Sequence, residues 1–254
     1  MHLSMLSAGR NFLADDPLTL RYWDQTVLQL GFSGSVAKNI INNQALTLAG
    51  SATVSPNYAL PNNSGSLKLA GINSYGSLPF DAALNLGTGD FTIEWFEKVD
   101  RLVAGADGSK MVPVIYWGTW AAPGKPVNID LFINTDASQL SLASVAHSTS
   151  NYITTKLSEV VDLNKVEHFA IVRKNGAAKL YRNGIRIATM DCAFSVGSNV
   201  GNVGNINIGR RLGGNSGEVA WGFNGYFPGL RITKVARYAG DKFTVPAYFP
   251  VKSI

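Results

Sequence analysis

The chain of 254 residues contains one cysteine, Cys192. No intramolecular disulfide can form, so the fold does not depend on an oxidising compartment. Charged residues make up only 15% of the chain, well below the usual quarter. That scarcity excludes a coiled coil, a long-helix bundle and an acidic disordered chain, all of which need many Glu, Lys and Arg. No apolar run approaches the roughly 18 residues of a membrane-spanning helix, so no membrane insertion is expected. The first residues lack a signal-peptide pattern: Arg10 follows the mild apolar stretch, and Asp15 and Asp16 come soon after. A protein made and folded in a cytosol is expected. Three His and one Cys assemble no obvious zinc site.

What is present points to strands. Gly is abundant at 26, and 46% of residues are apolar, a mix that favours short strands joined by tight turns. The net charge of +5 suits anionic partners. The cations are scattered, however. The densest group, Arg182, Arg186, Arg210 and Arg211, lacks an aromatic-basic nucleic-acid motif, so nucleic acid is not the expected partner. Strand signals begin at Thr26 and recur in 66–70, 91–95, 111–117, 127–133 and 140–146. In Val127, Ile129, Leu131 and Ile133 the apolar residues share one face, as a strand with a buried side requires. The segment 166–190 contains Asn175-Gly176 and Asn183-Gly184. Asn-Gly tolerates the positive φ of a type I′ turn, so two such turns predict a three-stranded meander. Further strands are expected at 205–209 and 229–233, and one helical turn near Ser158–Leu163. Residues 1–25 show no clean period and carry Phe12, Tyr22 and Trp23. They read as an extended arm for docking or oligomerisation, ahead of one domain over 26–254.

Phe91-Thr92-Ile93-Glu94-Trp95-Phe96, Val166 to Arg173, Leu180-Tyr181-Arg182-Asn183-Gly184 and Ile206-Asn207-Ile208-Gly209-Arg210 follow one another in an order that is familiar. Phe223-Asn224-Gly225-Tyr226, Gly229-Leu230-Arg231-Ile232, Ala236-Arg237-Tyr238 and Phe243-Thr244-Val245-Pro246 complete it. The series resembles the concanavalin A-like lectin/glucanase superfamily, in its laminin-G-like branch, over about 26–250. It implies an all-β, two-sheet antiparallel jelly-roll sandwich. The closing segment resembles modules of bacteriophage structural proteins and large adhesins. One departure is plain: where many members carry Trp, this chain has Val166 and Glu167.

The superfamily's glucanases need two carboxylates on one strand face. Glu94 and Glu97 are three apart and should face opposite ways, so no catalytic residue is assigned and the chain is not expected to be an enzyme. No Gly-x-Ser-x-Gly elbow is present, and His168 reads as a packed strand residue. The resemblance admits calcium, but no ligand set can be named. Sugar sites pair an aromatic face with polar donors and acceptors. Trp120, Trp221, Arg210, Arg211 and Asn215 lie in two segments of that chemistry, and Asn151-Tyr152 is a third.

Two functions compete. The first is a non-enzymatic virion module, a capsid decoration, fibre or tail-associated protein docked through 1–25 onto a capsid or tail protein. The resemblance also implies a homo-oligomer on a virion surface, with surface glycans as further partners. The alternative is a stand-alone extracellular lectin or adhesin. A polysaccharide hydrolase ranks third.

Overall fold

The computed structural model describes residues 22–61, 63–79, 81–105, 108–118, 127–134, 139–146, 149–156, 161–196, 205–212 and 219–249. The strands in the first half are β1 (Thr26–Ser33), β2 (Val36–Asn39), β3 (Gln44–Ala45), β4 (Thr47–Ala49), β5 (Thr53–Ser55), β6 (Ser66–Ala70), β7 (Tyr75–Leu78), β8 (Phe91–Val99) and β9 (Met111–Gly118). Those in the second half are β10 (Val127–Asn134), β11 (Gln139–Ala146), β12 (Thr149–Lys156), β13 (Glu167–Lys174), β14 (Ala177–Arg182), β15 (Ile185–Asp191), β16 (Ile206–Ile208), β17 (Arg210–Leu212), β18 (Val219–Gly222) and β19 (Asn224–Thr233). Two single-turn 3-10 helices, Trp23–Gln25 and Ala82–Leu84, are the helical elements among the described residues. No helix among them is long and apolar enough to cross a membrane.

The strands form an antiparallel sandwich. One sheet has ten strands, with β15-β14-β13-β8-β19-β1-β2-β3 in order and β6 and β5 beside the first half of β19. The other has seven, in the order β12-β11-β10-β9-β16-β7-β4. Alternation along each strand builds the core between them. Phe91, Ile93 and Trp95 of β8, Phe169 and Ile171 of β13, and Leu230 and Ile232 of β19 meet Trp117 of β9, Ile129, Leu131 and Ile133 of β10, and Ile208 of β16.

The meander is present. Asn175 and Gly176 have φ of 51° and 79°, and Asn183 and Gly184 have 50° and 77°. The helical turn expected near Ser158–Leu163 is not seen in its described part, where Leu163 lies in a non-helical turn, and residues 158–160 lie outside the described residues.

Part of the outer face of the ten-stranded sheet is covered. Residues 234–249 run back across it as a strap. Phe243 N–H donates to the Gly184 carbonyl at 2.8 Å, Arg186 N–H to Asp241 at 2.8 Å, and Tyr181 Oη to Gly240 at 2.7 Å. Under the strap Tyr238 and Phe243 stack at 3.6 Å and Phe249 packs on Phe96 at 5.3 Å. At its centre lies Glu94, wholly buried. Arg231 donates to it at 2.8–2.9 Å and Tyr238 Oη at 2.8 Å, while Arg237 and His168 approach to 3.4 Å. Burial opposes the Glu94 charge, but the two guanidiniums and His168 together hold its carboxyl well below the usual carboxylate range.

Candidate functional site

The outer face of the seven-stranded sheet is built differently. At the end of β16 the chain turns sharply at Gly209, whose φ is +75°. A Cβ there would stand 2.0 Å from Leu69 Cδ1 and 3.3 Å from Phe223 Cβ, so a larger residue would add crowding to an unfavourable φ. The turn releases the two-stranded ribbon β17–β18, which lies against β9. Arg211 anchors the ribbon. Its Nε lies 2.8 and 2.9 Å from the two Asp130 oxygens, its Nη2 lies 2.8 Å from one of them, and Nη1 reaches Met111 Sδ. The same guanidinium sits 4.6 Å from the Phe132 ring and 4.7 Å from Trp221. Trp221 is 8% exposed and donates its indole N–H to Ser109 Oγ at 2.9 Å. Asp130 is buried, and burial pushes its carboxyl up while Arg211 opposes that.

Its strand neighbour Arg210 is held in another way. The guanidinium lies 4.3 Å over the Tyr75 ring, and its Nε is buried without a hydrogen-bond partner. Asn207 of β16 pairs in register with Ser77 of β7 and Tyr116 of β9, and all three are buried. Arg210, Arg211 and Trp221, predicted from a single stretch of sequence, are paired on one ribbon. Asn151 and Tyr152, expected in a loop, are strand residues of β12; Tyr152 pairs with Ala143, which pairs with Asp130. Trp120, Asn215 and Phe12 lie outside the described residues. Tyr22 and Trp23 are half-buried, and Tyr22 lies 5.2 Å beneath Arg237. Among the described residues no three His, Cys, Asp or Glu side chains converge as a metal site.

A family profile described as the Concanavalin A-like lectin/glucanases superfamily matches residues 69–241. The chain belongs to this superfamily. No curated protein sequence matches it. The concanavalin A-like fold is shared with solved toxin domains. The binding domain of Paraclostridial Mosquitocidal Protein 1 is 18% identical with a TM-score of 0.57, covering 85% of this chain and 50% of that one. The Botulinum neurotoxin serotype D binding domain is 13% identical with a TM-score of 0.58, covering 86% and 50%. The binding domain of Botulinum Neurotoxin DC in complex with SialylT is 14% identical with a TM-score of 0.57, covering 85% and 49%. The chain spans about half the length of these structures.

Within this concanavalin A-like domain the carboxylates sit as the spacing requires. Glu94 points under the strap, whereas Glu97 points into the core side, where Trp95 donates to it at 2.8 Å. Glu97 pairs across the strands with Glu167. Glu167 takes Arg182 at 2.7–2.9 Å and Asn183 at 3.3 Å, so it is held in an ion pair. Sequence reasoning gave Asp130 and Tyr75 no place in the site. Asp130 could have been found, because an acid between Ile129 and Leu131 in a clean alternation is an outward charge in want of a partner.

Proposed function

We propose that this domain is a non-catalytic saccharide-binding module that uses the outer face of its seven-stranded sheet. The observation that carries the reading is Arg210. A guanidinium laid on a tyrosine is a pre-positioned planar cation beside an aromatic surface, and its Nε, although buried, has no protein acceptor among the described residues. Arg211, Asp130 and Trp221 support the ribbon that presents it and are themselves already engaged. Saccharide sites combine an aromatic surface with a few fixed polar groups. Superfamily membership supports the reading, as does the complex of one similarly folded toxin domain with SialylT. No reaction is assigned, because Glu94 is locked by four partners and Glu97 is enclosed. A glycan array probed with the full chain tests this, followed by titration of the best saccharide. Arg210→Ala should weaken binding at least about tenfold, with Arg210→Lys in between, since a lysine lacks the planar fork. Unchanged affinity in Arg210→Ala would refute the site.

A second reading seats the domain on a virion surface through residues 1–25, as a homo-oligomer. Trp23 supports it: the 3-10 turn that holds it leaves the ring half-buried at the root of the arm. The closing segment does not add to it, because Arg237, Tyr238 and Phe243 are used on Glu94 and Tyr181. A chain starting at Thr26 should then lose a capsid or tail partner that the full chain binds, while keeping its saccharide.

A further inference from the structure

The ten-stranded sheet carries a second cluster, beyond the strap and on the opposite sheet from Arg210. On three adjacent strands, Lys68 of β6, Tyr226 of β19 and Lys98 of β8 are direct cross-strand partners and form one row. Tyr58, from the turn after β5, lies against the middle of this row. Its ring is 4.8 Å from that of Tyr226, inclined at 55°. Lys98 Nζ is 5.6 Å from the Tyr58 ring and Lys68 Nζ is 5.7 Å from the Tyr226 ring. Lys98 is neutralised by Asp100 at 2.5 Å. Lys68 is exposed and has no carboxylate within ion-pair distance among the described residues.

Tyr58 is the unusual member. It is 42% exposed, and its φ is +56°, a left-handed backbone that a bulky side chain seldom adopts. The turn is fixed on both sides. Asn57 N–H donates to Ser55 Oγ at 3.2 Å, and Ser66 Oγ donates to the Asn57 carbonyl at 2.6 Å. A glycine or asparagine would fill this position without strain. The chain instead holds a tyrosine there with its ring open to solvent. Strain kept at an exposed residue is a pointer to use.

We propose that Tyr58, Tyr226, Lys68 and Lys98 form a second binding site, for a saccharide carrying a carboxylate or sulfate. The apolar face of the sugar ring would lie on Tyr58, and its anionic substituent would meet Lys68. This site does not depend on the Arg210 face. The test is calorimetric titration of the full chain carrying Arg210→Ala, which silences the other sheet, repeated on the unsubstituted chain. The probes are trigalacturonate, a sulfated carrageenan tetrasaccharide and uncharged maltotetraose. At least one acidic saccharide should bind, maltotetraose at least about tenfold more weakly, and the acid that binds separates carboxylate from sulfate. Tyr58→Gly and Lys68→Gln should each weaken binding at least about tenfold, with the Tm of Tyr58→Gly unchanged or raised. Absence of binding by both acidic saccharides overturns the proposal. So does full affinity in Tyr58→Gly. A lowered Tm in Tyr58→Gly with normal binding in Lys68→Gln also overturns it, because Tyr58 would then be a packing residue.

Discussion

Two buried glutamates three residues apart respond to pH in opposite ways. Glu94 is ionised among Arg231, Arg237, Tyr238 and His168, with its carboxyl held below the ordinary range. Its contribution is therefore present above the unfolded value of about 4.5 and is lost as pH falls below it. Glu94→Gln would leave two buried guanidiniums without their charge partner. We expect a loss of about 3–5 kcal/mol, measured by urea unfolding at pH 7. Glu97 is raised to about 8, chiefly by burial, with Glu167 adding to the shift and Trp95 and Arg182 opposing it. Folded Glu97 thus keeps its proton while the unfolded chain gives it up. This group's contribution is full below pH 4.5, declines between 4.5 and about 8, and is level above. Glu97→Gln keeps an acceptor for Trp95 and removes the titration. It should flatten the stability profile over that window and be the more stable protein at pH 8. A profile that declines equally in both proteins would show that Glu97 is ionised in the fold.

At the scale of elements, the meander β13–β14–β15 shows what sequence can carry. Its two turns were legible because Asn-Gly is a local signal: Asn183 and Gly184 adopt the left-handed region that the pair permits. What the local signal could not carry is the strap. A Cβ on Gly184 would meet the Phe243 carbonyl at 2.3 Å, so the turn is also a docking point for a segment some sixty residues later. Gly184→Ala combines an unfavourable φ with that collision. The expected cost is more than about 1 kcal/mol, seen as a lowered urea midpoint with an unchanged slope. A cost of only a few tenths would mean that the strap yields easily. The same limit applied to the candidate site. Arg210, Arg211 and Trp221 were visible as chemistry, but their partners Tyr75, Asp130 and Ser109 lie far away in sequence. Only the register of β16, β9 and β10 brings them close.

For the molecule as a whole, each sheet's outer face carries its own cover: the ribbon β17–β18 on the seven-stranded sheet and the strap on the ten-stranded one. The alternation of β8 announces the inner face, Phe91, Ile93 and Trp95. It leaves Glu94 and Phe96 looking like solvent positions, yet both are buried. They are buried because Tyr238, Phe243, Val245, Tyr248 and Phe249 close over them and over Ala170, Val172 and Tyr181. Each such side chain, if fully buried, is worth about 1.5–3 kcal/mol. Together with the Glu94 network, the strap's share is comparable to the whole net stability of a domain, about 5–15 kcal/mol. A chain ending at Thr233 should therefore melt without a cooperative transition and bind ANS at room temperature, with Glu94 and Arg231 opened to water. Retention of a sharp transition within a few degrees of the full chain would make the strap a surface addition. The two sheets would then have to be stable on the shared core alone.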